Sequence, residues 1–318
     1  MNERNLVICD REIRYADSLG ENISMREDLA VKVYVCSNLE KVLELVEAKP
    51  IHLFLIDEAY SYEERSTVEA KQIFVLGRGR ISDLGDEECQ VRKYQCADEI
   101  IREIFEVYID KTKENVMRSL NKDEVRMVAV YSPIHRLGKT TFAIALGKAC
   151  ATKKKVLYVN LEAYAGMTEP QGMNLADILY YMRQGKGNLG IRLQTAVQKE
   201  EELDVLMPMP IARDLKEVGS EEWKAFLREI KEESIYDMVI LDVGECVQGL
   251  YEILESCNRI YMPVLEDDIS RKKLDQYAHN IKQLHLEKLE RITYQFTMPE
   301  QIEEYAKIHA KEETLCYK

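Results

Sequence analysis

Gly138-Lys139-Thr140-Thr141 combines residue types and spacing that could do chemistry, because an apolar run, Val125 to Tyr131, leads into it and an amphipathic run from Phe142 follows. A buried strand, a tight turn and a helix in that order set unpaired backbone N–H groups, here from about Leu137 to Thr141, at the positive end of a helix dipole, where an anion is favoured. In such a phosphate cradle Lys139 would reach the β- and γ-phosphates of a nucleotide as a point charge. The Thr140 hydroxyl would hold Mg²⁺, and Thr141 would add a donor nearer the α-phosphate. The strict motif is incomplete, since its first glycine belongs at position 133 and the chain has Pro133 there. Context must therefore carry the reading.

Two downstream runs supply that context. Lys153 to Glu162 reads as a second buried strand ending in polar groups, and Tyr236 to Asp242 as a third ending in an acid. Ligands of an open parallel sheet bind at the carboxyl ends of its strands, so Asn160, Glu162 and Asp242 are expected around the same nucleotide as Lys139. Asp242 fits the role of holding Mg²⁺ through a water.

The elements that must position these groups fit within 318 residues, of which 46% are hydrophobic and 32% charged: an ordinary globular composition, long enough for two cores. No apolar run approaches the roughly 20 residues that span a bilayer, and no signal peptide is evident, so a cytoplasmic protein is expected. A formal net charge of −13 argues against non-specific DNA binding, leaving only a local basic patch for such a role. The cysteines (Cys9, Cys36, Cys89, Cys96, Cys150, Cys246, Cys257, Cys316) have no Cys-x-x-Cys spacing and read as reduced, mostly buried thiols. The histidines show no pairing that suggests a metal site.

The chain divides into residues 1–112, a charged linker over 113–124, and residues 125–318, both large parts being α/β. In the first part the apolar runs Leu6–Asp10, Val31–Cys36, Ile51–Asp57, Gln72–Leu76 and Val91–Tyr94 predict five strands, with helices over Leu39–Ala48 and Ala97–Tyr108. In the second, Ser220 is expected to cap a helix that turns Trp223 and Leu227 to the core, and a Glu-rich helix should begin near Pro299 as a packed or partner-binding surface element.

With Asp10 ending strand one, Asp57 ending strand three and Lys93 in strand five, the first part resembles a response-regulator receiver, a flavodoxin-like α/β sandwich. The resemblance implies that Asp57 accepts phosphate, strand-one acids hold Mg²⁺ and Lys93 pairs with the acyl phosphate. The pattern departs where strand four ends in Leu76-Gly77 instead of a Ser/Thr, where Tyr94 replaces proline, and where the connections are too short for two full helices. A degenerate receiver serving as an interaction module is favoured over a phosphorylated one.

The second part, through His135-Arg-Leu-Gly-Lys-Thr-Thr141, Val156–Glu162, Tyr236–Asp242 and Cys257–Val264, resembles the MinD/ParA branch of P-loop ATPases, with a mostly parallel sheet. A receiver-like domain ahead of such an ATPase is the layout of TadZ/CpaE proteins of Flp-type pilus assembly. This resemblance implies ATP and Mg²⁺ as cofactors, with Arg136, Leu137, Gly138, Lys139, Thr140 and Thr141 binding nucleotide and Thr140, Asp242 and Asn160 about the metal. It makes Glu162 and Asp242 the candidate catalytic residues, Glu162 by orienting the attacking water. The family's signature lysine would fall at position 134, which is Ile134, so slow hydrolysis is expected; Arg136 is either a replacement cation or a solvated loop residue. The expected function is a nucleotide-regulated, homodimerising scaffold that meets protein partners of a pilus or secretion assembly, at a pole or peripheral to membrane machinery. The alternatives are an active ParA-type partitioning ATPase and a phosphorylation-controlled signalling ATPase.

Overall fold

A computed structural model of the chain describes residues 3–26, 28–112, 114, 116, 125–167, 172–185 and 188–315, so most of the expected linker lies outside the described residues. The chain forms two compact units, Met1–Leu120 with Lys186–Thr195, and Asn121–Gly185 with Ala196–Lys318.

The first unit runs β1 (Arg4–Cys9), α1 (Ile13–Ser24), β2 (Val31–Cys36), α2 (Leu39–Ala48), β3 (Ile51–Asp57), α3 (Tyr62–Arg65), β4 (Ala70–Gly77), β5 (Cys89–Arg92) and α4 (Ala97–Thr112). Its sheet is wholly parallel in the order β2-β1-β3-β4-β5. The order reverses between β1 and β3, and in open parallel sheets that is where a crevice opens beyond the carboxyl ends. Asp10 and Asp57 sit at those two ends. Of the boundaries that differ from the sequence reading, two bear on the candidate residues. Asp10 lies just beyond β1, and β5 begins two residues early, so that Lys93 follows the strand instead of lying in it.

Between β3 and β5 the chain spends its length on one helical turn and an irregular loop, which a buried arginine organises. Arg65 is fully buried and makes a two-pronged pair with Glu88, Nε to Oε1 at 2.8 Å and Nη2 to Oε2 at 2.7 Å, while donating to the Tyr60 carbonyl at 2.5 Å and to the Asp83 carbonyl. A planar guanidinium has the donor geometry for such a set, and full pairing is what makes a charge tolerable there. The residues that would otherwise form a helix between β4 and β5 are pinned as loop.

The second unit runs β6 (Arg126–Val130), α5 (Lys139–Ala151), β7 (Val156–Leu161) and α6 (Leu175–Arg183); after α7 (Leu189–Ala196), which falls in the first unit up to Thr195, it resumes with β8 (Val197–Glu200), β9 (Leu203–Leu206), α8 (Ala212–Glu217), α9 (Ser220–Glu233) and β10 (Met238–Val243). It continues through α10 (Leu250–Glu255), β11 (Arg259–Val264), α11 (Asp268–Gln283), α12 (Glu287–Ile292), β12 (Thr293–Thr297) and α13 (Ile302–Leu315). The sheet order is β12-β11-β6-β10-β7-β9-β8, parallel except for the β8–β9 pair. β7 and β10 are buried at every residue, as strands covered on both faces must be. Phe142, Ala143, Leu146 and Cys150 of α5 join the core of this sheet.

The C-terminal helix α13 lies in the same core through Ala306, His309, Ala310 and Glu313, a helical spacing of one buried stripe. Glu313 accepts hydrogen bonds from the Tyr261 hydroxyl at 2.8 Å and from Arg126 Nε, so the buried acid is paired. Trp223 and Leu227 are buried as expected, but the cap of α9 is Gly219; Ser220 is already helical and its side chain caps nothing. Residues 186–195, assigned by sequence to the second part, belong to the first unit. There Leu189, Ile191 and Leu193 are buried and Arg192 pairs with Glu106 of α4 at 3.0 Å.

Removing one partner of a buried ion pair leaves an uncompensated charge and costs roughly 3–5 kcal/mol. Arg65→Ala is therefore expected to lower the stability of the first unit by about that much. Hydrogen exchange of the intact chain should show protection lost first over residues 78–92, and unchanged protection there would contradict the assigned role of Arg65.

Candidate functional site

In the second unit the sequence-predicted residues meet at the carboxyl edge of β6, β7 and β10. Two turns of local chemistry shape the entry to α5. The Ser132 hydroxyl accepts from the Ile134 amide at 3.1 Å, and Gly138 adopts φ +72°, a left-handed conformation that a side chain would strain. Arg136 also has positive φ, at +59°, and its side chain is exposed, as is that of Thr141, whereas Leu137 is buried. Alternation of this kind turns successive amides inward and forms an anion-binding concavity. α5 then begins with no side-chain cap and no acid in its first turn, which leaves the positive end of its dipole unneutralised.

Lys139, only 7% exposed, points along this edge. Its Nζ lies 2.8 Å from Glu162 Oε1, 3.4 Å from the Val243 carbonyl and 5.9 Å from the Tyr131 ring centroid. Glu162 can approach because residue 244 is glycine; a Cβ there would stand 2.6 Å from Glu162 Oε2. One residue further along α5, the Thr140 hydroxyl donates to Asp242 Oδ2 at 2.5 Å. The same oxygen accepts from the Tyr158 hydroxyl at 3.0 Å and lies 3.4 Å from Asn160 Nδ2.

Asp242 is fully buried, and burial raises its carboxyl above the ordinary range against the lowering effect of the Thr140 hydrogen bond. Its Oδ1 is buried without any hydrogen-bond partner. An acidic oxygen left unpaired beside a threonine hydroxyl fits a Mg²⁺ ion, which binds through one or two protein groups together with waters and substrate phosphates and needs no closed protein cage. Among the described residues no three His, Cys, Asp or Glu side chains converge as such a cage. Asn160 has a different part. Its Oδ1 accepts from the Glu162 amide at 2.8 Å and its Nδ2 donates to Tyr158 Oη at 2.9 Å, so it orients Glu162 and Tyr158.

Tyr158 was not singled out from the sequence. Burial pushes its phenol up, so it stays protonated and donates to Asp242. The signal was present in the period-two spacing of Tyr158, Asn160 and Glu162, which places them on one side of the chain as it leaves β7.

The first unit carries a separate cluster. Lys93 Nζ lies 2.7 Å from Asp10 Oδ2, is bonded to Asp57 Oδ2, and is 3.7 Å from Glu12 Oε1. Asp10, Asp57 and Lys93 are all buried. Burial raises the Asp10 carboxyl; at Asp57 burial also opposes ionisation, but the Lys93 hydrogen bond and the Ala59 amide outweigh it and hold the carboxyl below its ordinary range. Tyr94 and Arg78 both donate to Glu12, at 2.7 Å and 2.8 Å, beside this cluster. A Cβ at Gly77 would come within 2.7 Å of Glu58 Oε2 and 2.8 Å of Ile81 Cδ1, side-chain ends that would have to shift to admit it.

No protein-family profile matches the sequence, and no curated protein matches it. Solved structures similar to part of the chain include ParA-type proteins. A putative plasmid partition protein from Borrelia burgdorferi bound to AMPPNP is 14% identical over 61% of this chain and 100% of its own, with a TM-score of 0.45. A ParA-family ATPase from Chlorobium tepidum is 14% identical over 61% of this chain and 94% of its own, with a TM-score of 0.44. An ATP complex of Cyanothece McdA is 16% identical over 60% and 80%, with a TM-score of 0.41. Likeness at these values carries no argument about the site, whose reading rests on its own residues.

The raised Asp242 carboxyl has a signed consequence. A folded protein that binds this proton more tightly than the unfolded chain loses stability as pH rises from the unfolded value, 3.8, through the higher folded one. Asp242→Asn should therefore flatten that decline in the ligand-free protein and leave it no less stable at pH 7, which thermal melts across pH would measure. An unaltered pH profile would count against the buried-carboxylate description.

Proposed function

We propose that the chain is an ATP-binding scaffold of ParA/MinD type, resembling the TadZ/CpaE proteins, in which nucleotide with Mg²⁺ closes the second unit into a homodimer. The first unit, a receiver-like module that has lost its switch, would dock the complex on a pilus or secretion assembly, at a pole or beside membrane machinery. Among the described residues no helix is long and apolar enough to cross a membrane, so attachment would be through a partner. The observation that carries the reading is the convergence of Lys139, Thr140 and Asp242 on one uncapped helix start, with a buried Asp242 oxygen left unpaired.

When bound, Mg²⁺ would neutralise phosphate charge between Thr140 and Asp242. Lys139 would hold the β- and γ-phosphates, the amides of residues 137–141 would cradle them, and Tyr158 and Asn160 would keep Asp242 and Glu162 in place. Slow turnover is supported by Ile134, which is 5% exposed: no cation can be delivered to a second site from that position. The exposed Arg136 favours the second reading, an active ParA-type partitioning ATPase with this arginine as the trans-acting cation.

For the first unit, the glycine at position 77, which carries no hydroxyl, supports the vestigial reading. A receiver needs a hydroxyl at that point to answer a phosphate on Asp57. The competing signalling reading rests on the intact Asp10–Asp57–Lys93 cluster.

Calorimetric titration with Mg·ATP is expected to show binding that Lys139→Ala weakens by about a hundredfold, equivalent to roughly 3 kcal/mol of lost charge-assisted hydrogen bonds. Equal affinities would sink the cradle. Beryllofluoride or acetyl phosphate should leave the sedimentation behaviour of the intact chain unchanged, and so should Asp57→Asn. A change of oligomeric state that Asp57→Asn abolishes would replace the docking module with a signalling receiver.

A further inference from the structure

This inference rests on the nucleotide reading above and concerns Glu162, so far given only the task of orienting water. In the nucleotide-free chain its carboxylate is the counterion of Lys139, at 2.8 Å, and among the described residues no other acid is paired with that ammonium. The pair is well protected, with the two side chains 7% and 26% exposed. Its geometry is built rather than incidental. Asn160 Oδ1 accepts from the Glu162 amide at 2.8 Å, and the bare Cα of Gly244 leaves the space that Glu162 Oε2 fills. Tyr131, 3% exposed, covers the ammonium from another side.

We propose that Glu162 is an internal stand-in for phosphate that sets the affinity of the site for nucleoside triphosphate, because it holds a donor of Lys139 for which an incoming phosphate competes. The argument is one of charge. Lys139 is a compact point charge with three donors, engaged here by one carboxylate oxygen and a carbonyl. A phosphate oxygen competes for the same ammonium, and a carboxylate that stays nearby repels the incoming anion through a medium of lower dielectric than water. Glu162 therefore opposes binding twice, once as the occupant and once as a like charge. Once displaced, it is free to take the water-orienting position, so loading the site and arming it become one event.

The test is Glu162→Gln in the full chain, which keeps the side-chain shape and removes the charge, read by calorimetry with Mg·ATP and not by turnover. The affinity is expected to rise about tenfold over wild type, in keeping with the strength of one charge-assisted hydrogen bond. Glu245→Gln is the control, because Glu245 is an acid near the same edge whose partner is His135 at 3.2 Å instead of Lys139. It should tighten binding much less. An affinity for Glu162→Gln equal to or weaker than wild type overturns the proposal, and so does an equal gain in Glu245→Gln, which would reduce the effect to a general field. If the wild type itself binds no Mg·ATP, the proposed function falls and this inference with it; wild-type binding that Glu162→Gln leaves unmoved sinks this inference alone.

Discussion

A buried lysine ammonium at the edge of a parallel sheet is the constraint on which the second unit depends. Burial of an unpaired ammonium is prohibitively expensive, so anionic and carbonyl groups have to be brought to Lys139 by the fold itself. They come from β7 and β10, which lie side by side with Asn160 opposite Asp242 and Leu161 opposite Val243. Glu162 and the Val243 carbonyl thereby reach the same ammonium. Thr140, next along α5, ties the helix to Asp242 and fixes how far the loop before it can relax. The left-handed Gly138 and the Ser132–Ile134 bond then follow as the local means of joining β6 to a helix whose start is already determined.

The first unit solves a related problem differently. Lys93 is also a buried ammonium at the carboxyl edge of a parallel sheet, but Asp10 and Asp57 both pair with it, so that cation is matched without help from outside. In the second unit Asp242 keeps an unpaired oxygen, and α5 begins without a side-chain cap. The first cluster is thus knit from two carboxylates and one ammonium, whereas the second sets a carboxylate oxygen beside a helix start without a side-chain cap.

What could be read from the sequence follows the same physics. The runs Val31–Cys36 and Ile51–Asp57 and the helix Leu39–Ala48 were legible to the residue, because apolar periodicity is interrupted there by Ser37-Asn38 and Pro50. β5 was misplaced because it opens on Cys89-Gln90, which carries no apolar run. The allegiance of residues 186–195 was invisible, since Leu189, Ile191 and Leu193 announce burial but not against what. At the site, the positions of Lys139, Thr140 and Asp242 were legible because a Gly-Lys-Thr turn opens a helix and an apolar strand run ends in an acid. Tyr158 was hidden among apolar strand residues, and Gly244 has a function only once Glu162 is known to lean over it.

The departures from the usual cradle are better understood together than singly. Ile134 is buried, so the loop offers no cation at that point, and the charge of Lys139 is balanced within the chain by Glu162. The extra methylene of glutamate over aspartate lengthens the reach of this carboxylate toward Lys139, in the space that Gly244 leaves open. A triphosphate entering such a site, on the nucleotide reading, must compete with Glu162 for Lys139. Catalysis of phosphoryl transfer depends on positive groups placed in advance around the γ-phosphate, and here the placed positive charge is already occupied. On the proposed reading, the chemistry of the site therefore favours holding a nucleotide that has displaced Glu162 over turning it over rapidly, which is the behaviour a scaffold requires.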